Sequence, residues 1–340
     1  MSLNLSAEPR AAGVAAPATV PAIETRGLRK VYGRTTVLHD LTLTVEPGEV
    51  FGFLGPNGAG KTTTVKILLG LVRATAGEAR ICGLPAGDLA ARRRVGYLPE
   101  NFRFHDWLTG AGLLEFHGRL AGLSEEERRA RIPQVIRRVG LAGRGDARIR
   151  TYSKGMTQRI GLAQAIFHRP DLVLLDEPTS ALDPVGRHEV RDLIRSLRDE
   201  GITVFLNSHL LSEVELVCDR AAIIDRGRVV RSGRLGELLG ATSQLRVTID
   251  RVNDDLLAAL KRHAEVLAVE VIDAGIEPGG ASRTLAGNGS VTVTLAVDDP
   301  EIAPLVAETV MRRGHRLHGL VPVHRSLEEV FMDLVEGGEG

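Results

Sequence analysis

The run GPNGAGKTT at residues 55–63 constrains this chain more than any other stretch, because it fits the pattern Gly, four residues, Gly-Lys-Thr. Gly55, Gly58 and Gly60 let successive backbone N–H groups turn toward one point, a geometry that a Cβ obstructs and that suits a polyphosphate. Pro56, Asn57 and Ala59 complete the loop. Lys61 is placed to reach the β and γ phosphates, Thr62 to hold Mg²⁺, and Thr63 to follow them into the helix. The flanks agree. EVFGFL (49–54) reads as a buried strand, and TTTVKILLGL (62–71) as a helix whose N-terminus faces the anion. Only five lysines occur, at 30, 61, 66, 154 and 261, and one of them stands where the loop requires it.

At 340 residues the chain has room for two domains and a sizeable core. Acidic and basic residues balance at 43 each, which removes any global electrostatic case for nucleic acid or anionic lipid. Cys82 and Cys218 are far apart with no CxxC, against a zinc site and in keeping with a reducing compartment. No apolar run reaches the ~18 residues of a membrane span, so the chain is not expected to cross a bilayer itself. Residues 1–22, rich in Ala and Pro and interrupted by Glu8 and Arg10, read as a disordered tail.

Further along, LVLLDEP (172–178) is an apolar β-type run ending in two adjacent carboxylates, as expected of a central parallel strand whose acidic end meets a ligand crevice. It matches a Walker B strand, with Asp176 acting on Mg²⁺ through its water shell and Glu177 polarising the attacking water. Between the two elements stands TYSKGMTQRIGLAQAI (151–166). It resembles the signature of ABC ATPases, commonly Leu-Ser-Gly-Gly-Gln followed by Gln-Arg and an apolar helix. Ser153, Gly155 and Gln158-Arg159 match; Tyr152, Lys154 and Met156 depart, as they do in the ATPase subunits of type 2 ABC exporters. A serine hydroxyl, a glycine N–H and a helix N-terminus form a second anion site. The resemblance implies a head-to-tail dimer in which one subunit's signature closes on the other's P-loop.

The resemblance assigns further positions. Tyr32, in KVYG, matches the aromatic that stacks on adenine, although as a β residue it equally suits a half-buried place in a sheet. His209, after the strand-like ITVFLN, matches the switch histidine that contacts the γ phosphate, and Asp183 in SALD matches the loop that communicates across the dimer. Glu100, in GYLPE, stands where most ABC ATPases carry a glutamine that touches Mg²⁺. The exchange adds a negative charge near Asp176 and Glu177 and favours the metal-bound state. Phe102, Phe104, Trp107 and Phe116 are four of the chain's twelve aromatics; they suit a core, or an aromatic groove for the coupling helix of a transmembrane subunit.

The fold expected is α/β, a P-loop NTPase of ABC type spanning 23–238 with a helical subdomain at about 101–165, followed by an α+β accessory domain at 239–340. In the last region the order strand (243–249), helix, strand, strand (290–297), helix, strand is the βαββαβ of a ferredoxin-like sandwich. AGIEPGGASRTLAGNGS joins its middle strands, and SLEEVFMDLVE (326–336) closes it as a helix with Ser326 and Glu329 in capping-box spacing. The resemblance implies an ATP- and Mg²⁺-dependent ATPase at the cytoplasmic face of the cell membrane, homodimeric or paired with a similar chain. Such a subunit drives a separate membrane permease, an exporter, with no nucleic acid involved. A soluble ABC ATPase acting on ribosomes or nucleic acid, an importer ATPase, and a non-catalytic regulatory role are the other readings the same motifs allow.

Overall fold

The computed structural model describes residues 20–180, 182–239, 243–272, 290–297, 302–323 and 326–336. The expected tail up to residue 19, Ala181 of SALD and nearly all of the glycine-rich loop at 274–290 lie outside the described residues. Two compact units are present, one of residues 1–49 with 62–205, the other of 50–61 with 206–340.

The chain runs through β1 (Ile23–Tyr32), β2 (Thr35–Val45), β3 (Val50–Leu54), α1 (Lys61–Leu68), β4 (Ala76–Ile81), β5 (Leu84–Pro85), α2 (Leu89–Arg92) and β6 (Val95–Leu98). Three helices follow, α3 (Gly110–Leu120), α4 (Glu125–Arg138) and α5 (Lys154–Ile166). Next come β7 (Leu172–Asp176), α6 (Pro184–Asp199), β8 (Thr203–Asn207), α7 (Leu211–Val217), β9 (Arg220–Asp225), β10 (Arg228–Arg234) and α8 (Leu235–Leu239). The last stretch is β11 (Ser243–Ile249), α9 (Asp254–Leu260), β12 (Glu265–Ile272), β13 (Ser290–Val297), α10 (Ala303–Arg312), β14 (Leu317–Val323) and α11 (Leu327–Glu336).

A four-stranded sheet has the order β2-β1-β4-β5, with antiparallel pairs throughout. Ala22 already belongs to it, 3 % exposed and bonded on both sides to Val45 and Cys82. The second sheet has the order β10-β9-β3-β8-β7-β6, and the division into units falls within β8. Strands β3, β7 and β8 are buried at every position, as continuous apolar runs covered on both faces must be. Pairs β3–β9 and β6–β7 are parallel, and β9–β10 is a hairpin whose Arg226-Gly227 turn has positive φ at both residues (44° and 74°), the requirement of a two-residue type I′ turn.

Helices α3, α4 and α5 belong to the first unit. Thr109 caps α3, and α4 opens on a capping box in which Ser124 and Glu127 exchange side-chain and backbone bonds. Close approach is built into the sequence at Gly96, where a Cβ would stand 1.9 Å from the Ala165 carbonyl oxygen of α5. Two half-buried histidines, His117 on α3 and His168 after α5, lie near one another. Burial lowers both below the ordinary 6.5; His168 adds to the effect on His117, and on His168 the bond from Nε2 to the Val95 carbonyl opposes it while Arg131 reinforces it. The folded state therefore binds fewer protons than the unfolded state as pH falls below about 6.5, so stability held above that pH declines through the acid side. Thermal midpoints followed from pH 8 to 5 should fall below 6.5, and a His117→Gln/His168→Gln double variant should show a flatter profile.

In the second unit β11 through β14 form a sheet of order β12-β13-β11-β14, antiparallel at every pair, with the succession βαββαβ read from the sequence. Leu245, Val247 and Ile249 of β11 and Val291, Val293, Leu295 and Val297 of β13 line its core with Leu256, Leu260, Val306 and Val310 from α9 and α10. Helix α11 packs against α7 and α8.

Candidate functional site

The phosphate loop leaves β3 and enters α1 within the sequence 55–61. A Cβ on Gly55 would lie 2.3 Å from the Ile224 carbonyl oxygen of β9, so the strand can turn there only as glycine. Gly58 and Gly60 adopt φ of 82° and 108°, and nothing lies within 4 Å of where a Gly58 side chain would begin. The loop is therefore open at its tip, a cradle that a Cβ would fill. Asn57 and Gly58 are exposed there, Pro56 is half-buried, and Ala59 and Gly60 are buried. The Ala59 amide donates to Pro56 (3.2 Å), and the Ala59 carbonyl accepts from Gly227 at the tip of the β9–β10 hairpin (2.9 Å). Lys61 Nζ donates to the Gly55 and Pro56 carbonyls (2.7 and 3.1 Å), which holds its ammonium inside the loop. In the first turn of α1, Thr62 is exposed and Thr63 half-buried. A glycine loop with open space at its tip, a held ammonium and a helix N-terminus suit a polyphosphate.

His209 belongs to the same unit as the loop. It follows β8 as an exposed residue, two positions before α7, beyond a turn in which Leu210 N donates to Ser208 Oγ (3.1 Å).

In the first unit, β7 delivers Asp176 and Glu177 to its carboxyl end, 4 % and 7 % exposed. Glu177 has φ of 52°, a left-handed conformation that costs a non-glycine residue roughly 1–2 kcal/mol. The following turn holds it: the Glu177 carbonyl accepts from Ser180 N (3.3 Å) and Ser180 Oγ (3.1 Å). Glu100 is exposed beyond β6. The Tyr97 phenol, in β6, is pushed up to about 12, mainly by burial and further by the charges of Asp176 and Glu100. Asp176 and Glu100, which both act on Tyr97, are oxygen donors of the kind a divalent cation takes, while no group of three or more His, Cys, Asp or Glu able to hold a metal is present among the described residues.

The signature turn opens α5. Ser153 is exposed and caps the helix, its Oγ accepting from Met156 N (3.2 Å). Gly155 is half-buried, with Leu182 3.4 Å from where its Cβ would start. Buried Gln158 donates to the Pro178 carbonyl (3.0 Å), and Arg159 pairs with Glu189 of α6. The helix bearing Ser153 is thus tied to the turn after Glu177 in the same chain. Asp183 caps α6 through Gly186 N (2.8 Å). Tyr32 ends β1 46 % exposed, with Lys30 Nζ 4.6 Å from its ring centre.

Tyr97 and Tyr152 escaped the sequence reading as structural parts of the site. The Tyr152 hydroxyl donates to the Arg144 carbonyl (2.8 Å) and sits 2.3 Å from where a Cβ on Gly110 would be. An aromatic in place of the signature's usual leucine, together with a glycine at 110, was the available signal. The four clustered aromatics are not core residues: Trp107 is 68 % and Phe116 47 % exposed, Phe102 and Phe104 are half-buried, and Trp107 stacks on His105.

The profile of the ABC transporter family matches residues 38–180. An uncharacterized ABC transporter ATP-binding protein of Synechocystis is 46 % identical over 68 % of each chain. A Nod factor export ATP-binding protein I of Ralstonia nicotianae is 35 % identical over 93 % of this chain and 94 % of its own. The daunorubicin/doxorubicin resistance ATP-binding protein of Streptomyces peucetius is 36 % identical over 92 % of each. Among solved structures, the ATP-binding subunit of an ABC transporter superposes with a TM-score of 0.60 at 32 % identity, covering 64 % of this chain and 91 % of that one. A dimeric ATP-binding cassette in a post-hydrolysis state with ADP and Pi gives 0.58 at 26 % identity, covering 63 % and 99 %. An open glycine loop holding its lysine, a strained glutamate after an acidic strand end, and relatives matched along nearly their whole length converge on one assignment: the chain belongs to the ABC transporter family, as an ATP-binding subunit that hydrolyses ATP.

Proposed function

We propose that this subunit powers export through a separate membrane permease, by ATP hydrolysis in a head-to-tail dimer of this chain. Glu177 carries the catalytic reading: a buried carboxylate locked in a left-handed conformation at the end of β7 is suited to hold one orientation toward a water molecule. Glu177 orients that water and accepts its proton as the oxygen attacks the γ phosphorus; the bond to the β-bridging oxygen breaks, giving ADP and phosphate. Lys61, His209, the partner's Ser153 and the partner's Gly155 bear on the charge that spreads over the γ phosphoryl oxygens. Gly55, Pro56, Asn57, Gly58, Ala59, Gly60 and Thr63 shape the phosphate cradle, and Tyr32 offers its exposed ring to adenine. Thr62, Asp176 and Glu100 would hold Mg²⁺, which when bound neutralises phosphate charge. Asp183, which caps α6, is read as the residue that communicates across the dimer.

The accessory region from 239 onward is read as a domain of its own, attached to an ATPase of 23–238. No helix among the described residues is long and apolar enough to cross a membrane, in keeping with a peripheral subunit at the cytoplasmic face that relies on a partner. Exposed Trp107 and Phe116, with Phe104, offer an aromatic surface to that partner. Likeness along nearly the whole chain to Nod factor export ATP-binding proteins favours export over import.

Mixing two inactive variants tests the head-to-tail arrangement. Lys61→Ala spoils the loop and Ser153→Arg the signature, yet a heterodimer pairs one intact loop with one intact signature. Random mixing should restore about a quarter of parental turnover, since half the dimers are mixed and each holds one complete site. No recovery, with dimers demonstrably formed, would contradict the arrangement.

A further inference from the structure

Helix α11 is the last described element, yet its N-terminus is bound to the helix that follows His209. The Leu327 amide at the first position of α11 donates to Glu215 Oε2 of α7 (3.2 Å). A capping box satisfies the next groups: Ser326 N donates to Glu329 Oε2 (3.0 Å) and Glu329 N to Ser326 Oγ (3.2 Å). Below this cap Leu327 and Val330 are 0 % and 3 % exposed, while Glu328, Glu329 and Met332 face solvent, so α11 commits one narrow apolar stripe to its neighbours α7 and α8. The carboxylate of Glu215 meets the helix where the macrodipole is positive, which makes the bond directional as well as electrostatic.

The other side of α7 is equally committed. Val214 is fully buried against β3, and a Cβ on Gly52 would stand 2.7 Å from Val214 Cγ1 and 3.2 Å from Cys218 Sγ. Gly52 lies three residues before the phosphate loop begins. Helix α7 is therefore held between the strand that delivers the loop and the terminal helix, with little room to shift alone. Only Leu210 separates His209 from α7, so the place of the histidine follows the place of the helix.

We propose that α11 is a brace on α7, and that Glu215, through its bond to the head of α11, is a positioning residue for His209 in hydrolysis. The accessory region would then set the turnover of the ATPase from its last helix, without touching the nucleotide. The proposal rests on the reading of His209 as a γ-phosphate contact, and the test separates the two.

Steady-state turnover and ATP affinity are measured in full-length Glu215→Ala, His209→Ala and the double variant, each with its thermal midpoint. Glu215→Ala should lose about tenfold in kcat, within the range that misplacing a group by under an ångström produces, with ATP Kd changed less than about twofold. Because Glu215 acts through His209, adding Glu215→Ala to His209→Ala should cause no further loss. Glu215→Gln, which keeps an acceptor oxygen and the volume, should recover most of the turnover, and Glu215→Met, which keeps the length without that acceptor, serves as the measured variant if alanine compromises folding, with the same loss expected. A folded Glu215→Ala or Glu215→Met variant with parental kcat, or a loss that adds in full to that of His209→Ala, overturns the brace. Parental kcat in His209→Ala overturns instead the reading of the histidine.

Discussion

Replacing Glu177 by glutamine is expected to leave ATP affinity within about twofold of the parent while slowing hydrolysis at least about a hundredfold, the scale of losing a positioned base. The amide has the shape of the carboxylate and meets the same 7 % exposed environment, so binding and fold should survive. What it lacks is basicity toward water. Glu177 occupies φ of 52° in both cases, held by Ser180, so the strain is common to parent and variant and cancels in the comparison. Single-turnover hydrolysis beside equilibrium nucleotide binding reads the two effects separately. Near-parental turnover would remove Glu177 from its role.

Lys61→Ala should behave differently, losing affinity and turnover together. The Lys61 ammonium is held inside the loop by the Gly55 and Pro56 carbonyls, so it is already in place before any phosphate arrives. Removing one charge-assisted contact to phosphate costs about 1.5–3 kcal/mol, or roughly ten- to a hundredfold in affinity. A group that also bears on transition-state charge adds a further ~10²–10³ in rate, so kcat should fall at least about a hundredfold and kcat/KM at least about a thousandfold. Lys61→Arg is not a conservative control, since a planar fork cannot reproduce a compact ammonium between two carbonyls. Strong ATP binding in Lys61→Ala would show that the loop's backbone amides suffice by themselves.

Features carried by contiguous residues are legible in the sequence. GPNGAGKTT sits in the strand–loop–helix context its glycines require, LVLLD is a fully buried strand, and the βαββαβ alternation between 243 and 323 matches the observed elements within a few residues. Local chemistry decides these: glycine sterics, apolar runs and helix caps act over a handful of positions. Contacts between distant positions left no such trace. Nothing in GYLPE announces that the Tyr97 phenol lies in the field of Asp176 and Glu100, and nothing in SLEEVF says that its Leu327 amide finds Glu215, 112 positions earlier. The lock between Tyr152 and Gly110 left only a departure from a familiar motif, and departures read as subfamily habit until the facing glycine is seen. Aromatic density at 102–116 pointed toward a core by composition, whereas 68 % exposure of Trp107 places it at a surface.

The central claim is that this ATPase works with a membrane permease, and mild-detergent purification of the tagged full-length chain from its native membranes tests it most directly. The expected result is a stoichiometric membrane partner with several transmembrane helices, whose presence raises the ATPase rate, and whose retention falls when Trp107 and Phe104 are both changed to alanine in a folded chain. Recovery of the chain with ribosomes or nucleic acid, and with no membrane protein, would contradict it.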